Sequence, residues 1–198
     1  MWAGPLRQIA ACEIWRDGPA FAKPAEVKLT GAPAQVYPTA AAFDQEARAC
    51  GMVDASWVMV CDPVRFDAEF RCFVRRDGDG RQQVVACSAY LVGGVTWDAW
   101  ASASDAPDAA EATAFASAVL ASGVPGPSGW VLDVGLVSGE WAVVEANAAW
   151  SSSPYHCDPR GVVAAVLASQ DGSAGDRWRW RSDPAVTSRA LPLPVRTC

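Results

Sequence analysis

Apolar and polar residues alternate along two parts of the chain, and each part predicts a β-hairpin. The segment 66–74 alternates regularly, and after a short turn the mostly apolar segment 82–92 follows it. Side chains two apart on a strand point the same way, so this pattern is typical of paired strands. The second hairpin is predicted from the apolar segments 129–137 and 140–147, which are joined by Ser138-Gly139.

Three further segments have the composition and the apolar spacing of helices. The segment 38–50 is rich in alanine, an acid-rich start at 105 leads into a helix that runs to about 121, and Asp158-Pro159 opens a third helix. Two short apolar runs, 20–24 and 56–61, predict single strands instead. Hairpins combined with a few helices make α+β the expected fold class.

Three polar side chains lie on the second hairpin where an ordinary sheet has apolar ones. Glu145 and Asn147 are two apart, so they share one face of their strand. A two-residue loop at Ser138-Gly139 would pair Asp133 with Val144 and send it to the other face, whereas a three-residue loop would keep it on the face of Glu145. Because glycine suits the left-handed position of a three-residue loop, we expect that loop and the convergence of all three side chains.

The predicted convergence of Asp133, Glu145 and Asn147 has a chemical consequence. Two carboxylates on one sheet face repel each other, and burial makes the repulsion worse, so a positive group is expected between them. Two acids and an amide offer only oxygen ligands, which suit a hard divalent cation such as Mg²⁺.

Charged side chains earlier in the chain allow two interpretations each. Lys23 ends a predicted strand and Lys28 lies in or beside the following loop, and each could be a plain surface charge or a phosphate contact. Glu69 and Arg71 share a strand face, where they could form a surface ion pair of little energetic value or take part in a site. The residue pattern alone leaves these alternatives open.

Composition excludes several classes of protein. The net charge of −6 argues against a general nucleic-acid surface, since phosphate binding needs clustered cations. The apolar runs are short and the first residues resemble no signal peptide, so we expect no membrane association and a cytoplasmic location. Seven scattered cysteines indicate reduced thiols. With His156 as the only histidine, and no nucleophile elbow beside it, zinc sites and triad hydrolases are disfavoured.

With these residues in hand, the chain resembles the ATP-grasp superfamily, specifically its small bacterial and phage proteins of the amide-ligase type. Four landmarks occur in order over roughly residues 20–169: the strand that ends in Lys23, the hinge strand from Trp57 to Val64, Glu69 in its alternating strand, and Asp133 followed by Glu145-Ala146-Asn147. Each motif alone is weak, but their order and spacing make a chance similarity improbable.

The resemblance implies a fold, a chemistry and a set of site residues. The implied fold has two α+β subdomains whose antiparallel sheets grip a nucleotide between them. Lys23 would contact ATP phosphates with Lys28 as a further nucleotide contact, backbone groups around Cys61 and Val64 would contact adenine, and Glu69 the ribose. The resemblance also assigns Mg²⁺ to Asp133, Glu145 and Asn147. The expected segments are a lead-in (1–18), a small subdomain with the hinge (19–64), a large subdomain with the metal site (65–169) and a loosely ordered tail (170–198).

Two departures from the family pattern limit the resemblance. Only about twenty residues precede Lys23, so most of the usual N-terminal domain is expected to be missing. Many relatives carry an arginine two residues before the metal-binding aspartate, where this chain has Val131. Arg71 is therefore our candidate for stabilising an acyl phosphate, with Lys23 as the other catalytic cation.

These observations support one leading hypothesis and two alternatives. The leading one is an ATP- and Mg²⁺-dependent carboxylate–amine ligase, acting through an acyl phosphate on small-molecule or peptide substrates, including an amino acid. The runner-up is a catalytically reduced ATP-binding or protein-interaction module. The third is an α/β binding protein that takes no nucleotide. The sequence identifies neither the acid nor the amine, and it leaves the oligomeric state open.

Overall fold

The computed structural model describes residues 1–25, 34–99, 107–171 and 178. Lys28 lies outside these residues, and so does the predicted tail 170–198 apart from residues 170, 171 and 178. The chain divides into two compact units, Met1–Arg65 and Phe66–Cys198. Both contain an antiparallel sheet and helices, so the α+β class is confirmed.

The first unit is a four-stranded antiparallel sheet with one α-helix packed on it. Its strands are β1 (Trp2–Pro5), β2 (Ala20–Pro24), β3 (Gln35–Tyr37) and β4 (Trp57–Cys61), in the order β1-β4-β2-β3, and its helix is α1 (Ala40–Ala49). Thr39 begins the helix, because its hydroxyl accepts a hydrogen bond from the Ala42 amide at 3.2 Å. Phe43 and Val60 meet in the core of this unit. Strand β1 was not predicted, since residues 1–18 carry little periodicity.

The second unit is a five-stranded antiparallel sheet with a helix on each face. The strands are β5 (Ala68–Arg76), β6 (Gln82–Val92), β7 (Val95–Thr96), β8 (Gly129–Val137) and β9 (Glu140–Ala148), in the order β7-β6-β5-β8-β9. The helices are α2 (Ala110–Ala121) and α3 (Pro159–Ala168). Both predicted hairpins are present, as are the helices predicted from the acid-rich segment and from Asp158-Pro159.

Alternation along β5 and β8 divides the side chains of this sheet between two layers. Phe70 and Leu132 point to the α2 side, where they join one buried cluster. Phe73 and Val131 point to the α3 side and join another, which includes Ala165 of α3. Residues of odd number in the middle of β5 and β8 therefore share the α3 face, and this face carries the polar residues singled out from the sequence.

The turn between β8 and β9 differs from the prediction. It is a two-residue loop, with Ser138 at φ 51° and Gly139 at φ 82°, rather than the three-residue loop that we expected. Such a loop suits the twist of paired strands when both residues have positive φ, a conformation that glycine adopts without strain. By itself this turn would pair Asp133 with Val144, as the sequence argument stated.

A β-bulge in β9 reverses that consequence. Val134 pairs with Val143, but the next pair along the ladder is Asp133 with Glu145, so Val144 is the extra residue. One extra residue shifts the alternation by one position and returns Asp133 and Glu145 to the same face. The predicted convergence is therefore present, although the reason given for it was wrong.

Two sequence-level expectations about location and thiols can be compared with the described residues. No helix in the described part of the chain is long and apolar enough to cross a membrane. The six described cysteines are free thiols. Two of them, Cys72 and Cys87, lie opposite each other on β5 and β6 with their sulfur atoms 3.1 Å apart, a proximity that their separation in sequence does not reveal.

Candidate functional site

Four polar side chains from three neighbouring strands meet on the α3 face of the second sheet. Arg71 of β5 is paired with Asp133 of β8, and Asp133 is paired in turn with Glu145 of β9. Asn147 lies two residues beyond Glu145 and so occupies the same face. The structure thus brings together all three residues predicted as metal ligands and adds Arg71 to them.

Arg71 and Asp133 form a buried, two-pronged ion pair. Nε and Nη2 of Arg71 donate to the two carboxylate oxygens of Asp133 at 2.9 and 2.7 Å. The exposed fractions of the two residues are 5% and 0%. Burial raises the pKa of Asp133, and the guanidinium opposes this rise. Burial lowers the pKa of Arg71, but Asp133 more than offsets it, so the pKa is raised and Arg71 stays charged.

The side-chain amide of Asn147 separates the two carboxylates. Its nitrogen donates to Oδ2 of Asp133 at 3.2 Å and to Oε1 of Glu145 at 2.8 Å. A neutral donor between two acceptors relieves their repulsion without adding charge. The expectation of a positive group beside these acids is met by Arg71 on one side, and the amide links the second acid to the pair.

The guanidinium of Arg71 is held from further directions. Nη1 donates to the Ser153 carbonyl at 3.3 Å, which ties the loop after β9 to the cluster. The guanidinium carbon lies 4.8 Å from the ring centre of Tyr155 and 5.5 Å from that of Tyr90. Cation–π contacts of this kind favour the charged form and fix its plane. The interpretation of Arg71 as a surface cation paired with Glu69 was therefore wrong, because Arg71 is buried and its acidic partner is Asp133.

Glu69 lies on the same strand face and is bound by a tyrosine. The hydroxyl of Tyr90, on β6, donates a short hydrogen bond to Oε2 of Glu69. Partial burial raises the pKa of Glu69, the Tyr90 hydrogen bond counteracts this, and the negative charges of Asp133 and Glu145 add to the rise. Burial and the neighbouring carboxylates likewise raise the pKa of Tyr90, so its hydroxyl stays protonated and remains a donor.

Sequence reasoning missed Tyr90, Ser153 and Tyr155 as parts of this cluster. A signal for Tyr90 existed, because a phenol in an otherwise apolar strand needs a hydrogen-bond partner when it is buried. Tyr155 is one of two described non-glycine residues with positive φ, at 47°, and only the structure reveals this. His156, considered as a substrate contact, lies with Nε2 3.2 Å from the Trp97 carbonyl oxygen.

The other predicted residues belong to the first unit. Lys23 is partly buried in β2, where its neighbours Ala22 and Pro24 face the core. Cys61 is the last residue of β4, and burial raises the pKa of its thiol. Val64 follows the end of that strand and is 53% exposed.

The donor set can be tested against the predicted cation. Among the described residues, no group of three or more His, Cys, Asp or Glu side chains could hold a metal ion. The cluster offers two carboxylates and one amide, a set that suits Mg²⁺ if further ligands come from water or from phosphate oxygens. Oδ2 of Asp133 accepts two hydrogen bonds, whereas Oδ1 accepts one from Arg71 and retains a lone pair. The residues present therefore fit the ion.

Comparison with protein families finds one model, described as an ATP-grasp domain, the third family of its clade, which matches residues 3–167. No curated protein is similar to the chain at a significant level.

Several solved structures are similar at low sequence identity. C-terminally truncated Cdc123 from Schizosaccharomyces pombe aligns at a TM-score of 0.48 and 14% identity, over 73% of this chain and 66% of that one. The ADP complex of PurK, N5-carboxyaminoimidazole ribonucleotide synthetase, aligns at 0.44 and 19%, over 66% and 34%. The ADP complex of the Staphylococcus aureus N5-carboxyaminoimidazole synthetase aligns at 0.44 and 9%, over 73% and 37%. The chain thus spans about two thirds of Cdc123 and about a third of each synthetase.

Proposed function

Because the chain belongs to this family of ATP-grasp domains, we propose that it is an ATP- and Mg²⁺-dependent carboxylate–amine ligase. ATP-grasp proteins are in general ligases. The observation that carries the proposal is the buried cluster in which Arg71, Asp133, Asn147 and Glu145 contact one another. A sheet face gains no stability from collecting two carboxylates, whereas a site for phosphates and a cation requires them.

The proposed reaction has two steps. A carboxylate oxygen of the first substrate attacks the γ-phosphorus of ATP, the bond between that phosphorus and the β–γ bridging oxygen breaks, and ADP leaves. The amine nitrogen of the second substrate then attacks the acyl carbon, the bond from carbon to the phosphate oxygen breaks, and the nitrogen loses a proton. Both steps need positioning and charge neutralisation rather than a protein nucleophile.

Nucleotide contacts are proposed for five residues, on the family pattern and on their chemistry. Lys23 would donate to ATP phosphates, and Lys28, which lies outside the described residues, would be the second lysine at the nucleotide. Cys61 and Val64 would offer backbone groups to adenine, because the chain leaves the sheet ladder where β4 ends. Glu69 would accept hydrogen bonds from the ribose hydroxyls.

The proposed metal ligands are Asp133, Glu145 and Asn147. Mg²⁺ held there would neutralise negative charge on the phosphate oxygens of ATP. Asn147 would need to turn its amide so that the oxygen rather than the nitrogen faces the ion, a rotation that leaves the side chain in place. The Arg71 ion pair would keep Asp133 ionised and fix its orientation.

Arg71 is the proposed catalytic cation for the acyl phosphate. Asp133 and Ser153 occupy three of its N–H groups, and the guanidinium has further N–H groups that can donate to a phosphoryl or carboxylate oxygen. Because the rings of Tyr90 and Tyr155 hold its plane, Arg71 loses little freedom when it binds. Lys23 would act with it on the transferring phosphoryl group.

The experiment that tests the proposal is a screen for ADP release with pairs of carboxylates and amines, including amino acids and short peptides. We expect ADP to form only when ATP, Mg²⁺, an acid and an amine are all present. Arg71→Lys keeps the charge but loses the two-pronged geometry, so it should lower ADP release at least about tenfold. Arg75→Lys, at an exposed position of the same strand, is the matched control.

A second candidate is an ATP-binding module without ligase activity. It is favoured by one observation, the complete burial of Asp133 with both of its oxygens bound by Arg71. The two candidates differ in a simple way. Saturable Mg-ATP binding without ADP release for any substrate pair supports the binding module and contradicts the ligase.

A further inference from the structure

Glu69 carries a hydrogen bond that the family pattern does not explain. We propose that Tyr90 is a positioning residue, which aims Glu69 at the ribose of the nucleotide and so makes the protein discriminate between ribo- and deoxyribonucleotides. The inference rests on the proposed function, because it assumes that Glu69 contacts ribose. It adds a residue and a specificity that neither the motifs nor the comparisons contain.

The first support is the backbone at Tyr90. Glu69 pairs with Leu91 across the ladder, while Phe70 pairs with Ala89, so Tyr90 is the extra residue of a β-bulge. A bulge disrupts the ladder locally and re-aims the side chain that it carries. Here it presents the phenol to the face of Glu69 and Arg71, away from the α2 side to which Ala89 points. Bulges are enriched beside functional sites, which agrees with this placement.

The second support is the way in which the phenol ring is held. The ring of Tyr90 stacks on Tyr155 with their centres 5.0 Å apart and their planes 20° apart. The guanidinium of Arg71 lies against the same ring, at 5.5 Å from its centre. A ring fixed by a stacked neighbour and by a buried cation has little rotational freedom, so its hydroxyl oxygen has one preferred position. That position is the hydrogen bond to Glu69.

The third support is the chemistry of the carboxylate. Glu69 is near Asp133 and Glu145, whose negative charges favour its protonation, and burial acts in the same direction. The Tyr90 hydroxyl favours the ionised form, because it donates to Oε2. With Oε2 occupied, Oε1 is left to accept from hydroxyl donors such as those of a ribose. Tyr90 would therefore set both the charge and the orientation of Glu69.

The test compares the affinity for Mg-ATP with those for Mg-2′-deoxy-ATP and Mg-3′-deoxy-ATP, measured by calorimetry on the full chain. A hydroxyl bound to a charged acceptor gives the wild-type protein roughly a tenfold preference for ATP over at least one deoxynucleotide. Tyr90→Phe keeps the ring but removes the hydroxyl, and we expect it to reduce this preference to about threefold or less. Tyr155→Phe keeps the stack and lacks any role in the bond, so it should retain the wild-type preference. Glu69→Gln should lose it as Tyr90→Phe does.

The pH dependence gives a second measurement that a purely structural role would not affect. Without the phenol hydrogen bond, protonation of Glu69 sets in at a higher pH, so the remaining preference of Tyr90→Phe for ATP should disappear at a higher pH than that of the wild type. Equal weakening of all three nucleotides, with an unchanged preference and pH profile, would show that Tyr90 only supports the fold. If the wild type binds Mg-ATP without preferring it over either deoxynucleotide, the inference fails alone. If it binds no Mg-ATP, the proposed function fails and the inference fails with it.

Discussion

Arg71 is the residue on which the polar cluster depends, because it neutralises a carboxylate that water cannot reach. Asp133 has no exposed surface, and both of its oxygens accept from the guanidinium. A buried pair of this kind adds little net stability over apolar residues of the same shape, since desolvation cancels most of the attraction. Removing one partner is a different matter, because the other charge is left buried.

Truncation of Arg71 measures this effect directly. Arg71→Ala should lower the free energy of unfolding by about 3–5 kcal/mol, as expected for a buried charge that has lost its partner. The double variant Arg71→Ala with Asp133→Ala should recover part of this loss, since no charge then remains buried. Urea unfolding of the single and double variants provides the measurement, with exposed Arg75→Ala as the control. A loss below about 1 kcal/mol for Arg71→Ala would contradict the buried ion pair.

Asn147 separates two acids, so its replacement by an acid should reveal their repulsion. Asn147→Asp removes a donor that serves both Asp133 and Glu145 and adds a third negative charge. We expect a loss of about 1–3 kcal/mol in stability when no divalent ion is present, and a part of this loss should be recovered at millimolar Mg²⁺. The measurement is the melting temperature at a series of Mg²⁺ concentrations.

The control for this variant adds the same charge to the same strand. Ala146 is exposed and lies between Glu145 and Asn147, so its side chain points to the opposite face of β9. Ala146→Asp should therefore cost little and should gain nothing from Mg²⁺. Recovery by Mg²⁺ in both variants would indicate a general ionic effect, and recovery in neither would count against the metal site.

Glu69 should make stability depend on pH. Its pKa in the folded protein is raised above the ordinary value of 4.5, chiefly by burial. The folded state therefore binds the proton more tightly than the unfolded state, and this group destabilises the fold increasingly as pH rises from 4.5 through the raised pKa. Glu69→Gln lacks this contribution, so its stability relative to wild type should increase over that window and stay constant above it. A difference that is independent of pH would show that Glu69 has an ordinary pKa.

At the scale of strands and helices, the bulge in β9 decides which side chains meet. Val144 is the extra residue, so its deletion would let Glu145 pair with Asp133 in an unbroken ladder. Glu145 and Asn147 would remain two apart and on the same face. Deletion of Ala146 makes the two residues adjacent, and adjacent side chains on a strand point to opposite faces.

A pair of single-residue deletions therefore gives opposite predictions. The Val144 deletion should keep the fold and the response of the melting temperature to Mg-ATP, while the Ala146 deletion should lose that response. Circular dichroism checks that both variants keep their sheets. Loss of the response in both deletions would mean that the bulge itself, rather than the face it restores, is needed for the site.

The same hairpin shows how far the sequence predicts this fold. Alternation and turn residues were sufficient to place β8 and β9, since a strand with one buried face repeats every second residue. They were insufficient to identify the two-residue turn or the bulge, because shifts of register are decided by cross-strand packing that the local pattern does not contain. Two errors, a wrong turn and an unforeseen bulge, cancelled, and the prediction that Asp133 joins Glu145 was met.

The candidate site was predictable to a different degree. The residue types that bind a hard cation can be recognised in the sequence, so Asp133, Glu145 and Asn147 could be named. The partner of Arg71 could not, because an ion pair across 62 positions of sequence depends on which strands are neighbours. Tyr90 and Tyr155 were missed for the same reason, since each acts through residues on other strands or loops.

At the scale of the whole molecule, each unit has a hydrophobic core of its own. The core of the first unit contains Phe43, which is fully buried and contacts Tyr37 edge to face at 5.0 Å. The cores of the second unit lie on the two sides of its sheet, and Phe73 is buried on the α3 side. Separate cores allow separate unfolding, so a cavity made in one core should weaken that unit first.

Phe43→Ala tests whether the units unfold separately. A cavity of this size should cost the first unit about 3–5 kcal/mol. Amide hydrogen exchange in β2 and β4 should become faster by a factor of roughly a hundred or more, while exchange in β5 and β8 should stay close to the wild-type rate. The reciprocal variant Phe73→Ala should accelerate exchange in β5 and β8 and spare β2 and β4. Equal acceleration of all four strands by either variant would show that the chain unfolds as one cooperative body, and that the two compact units are not independent in stability.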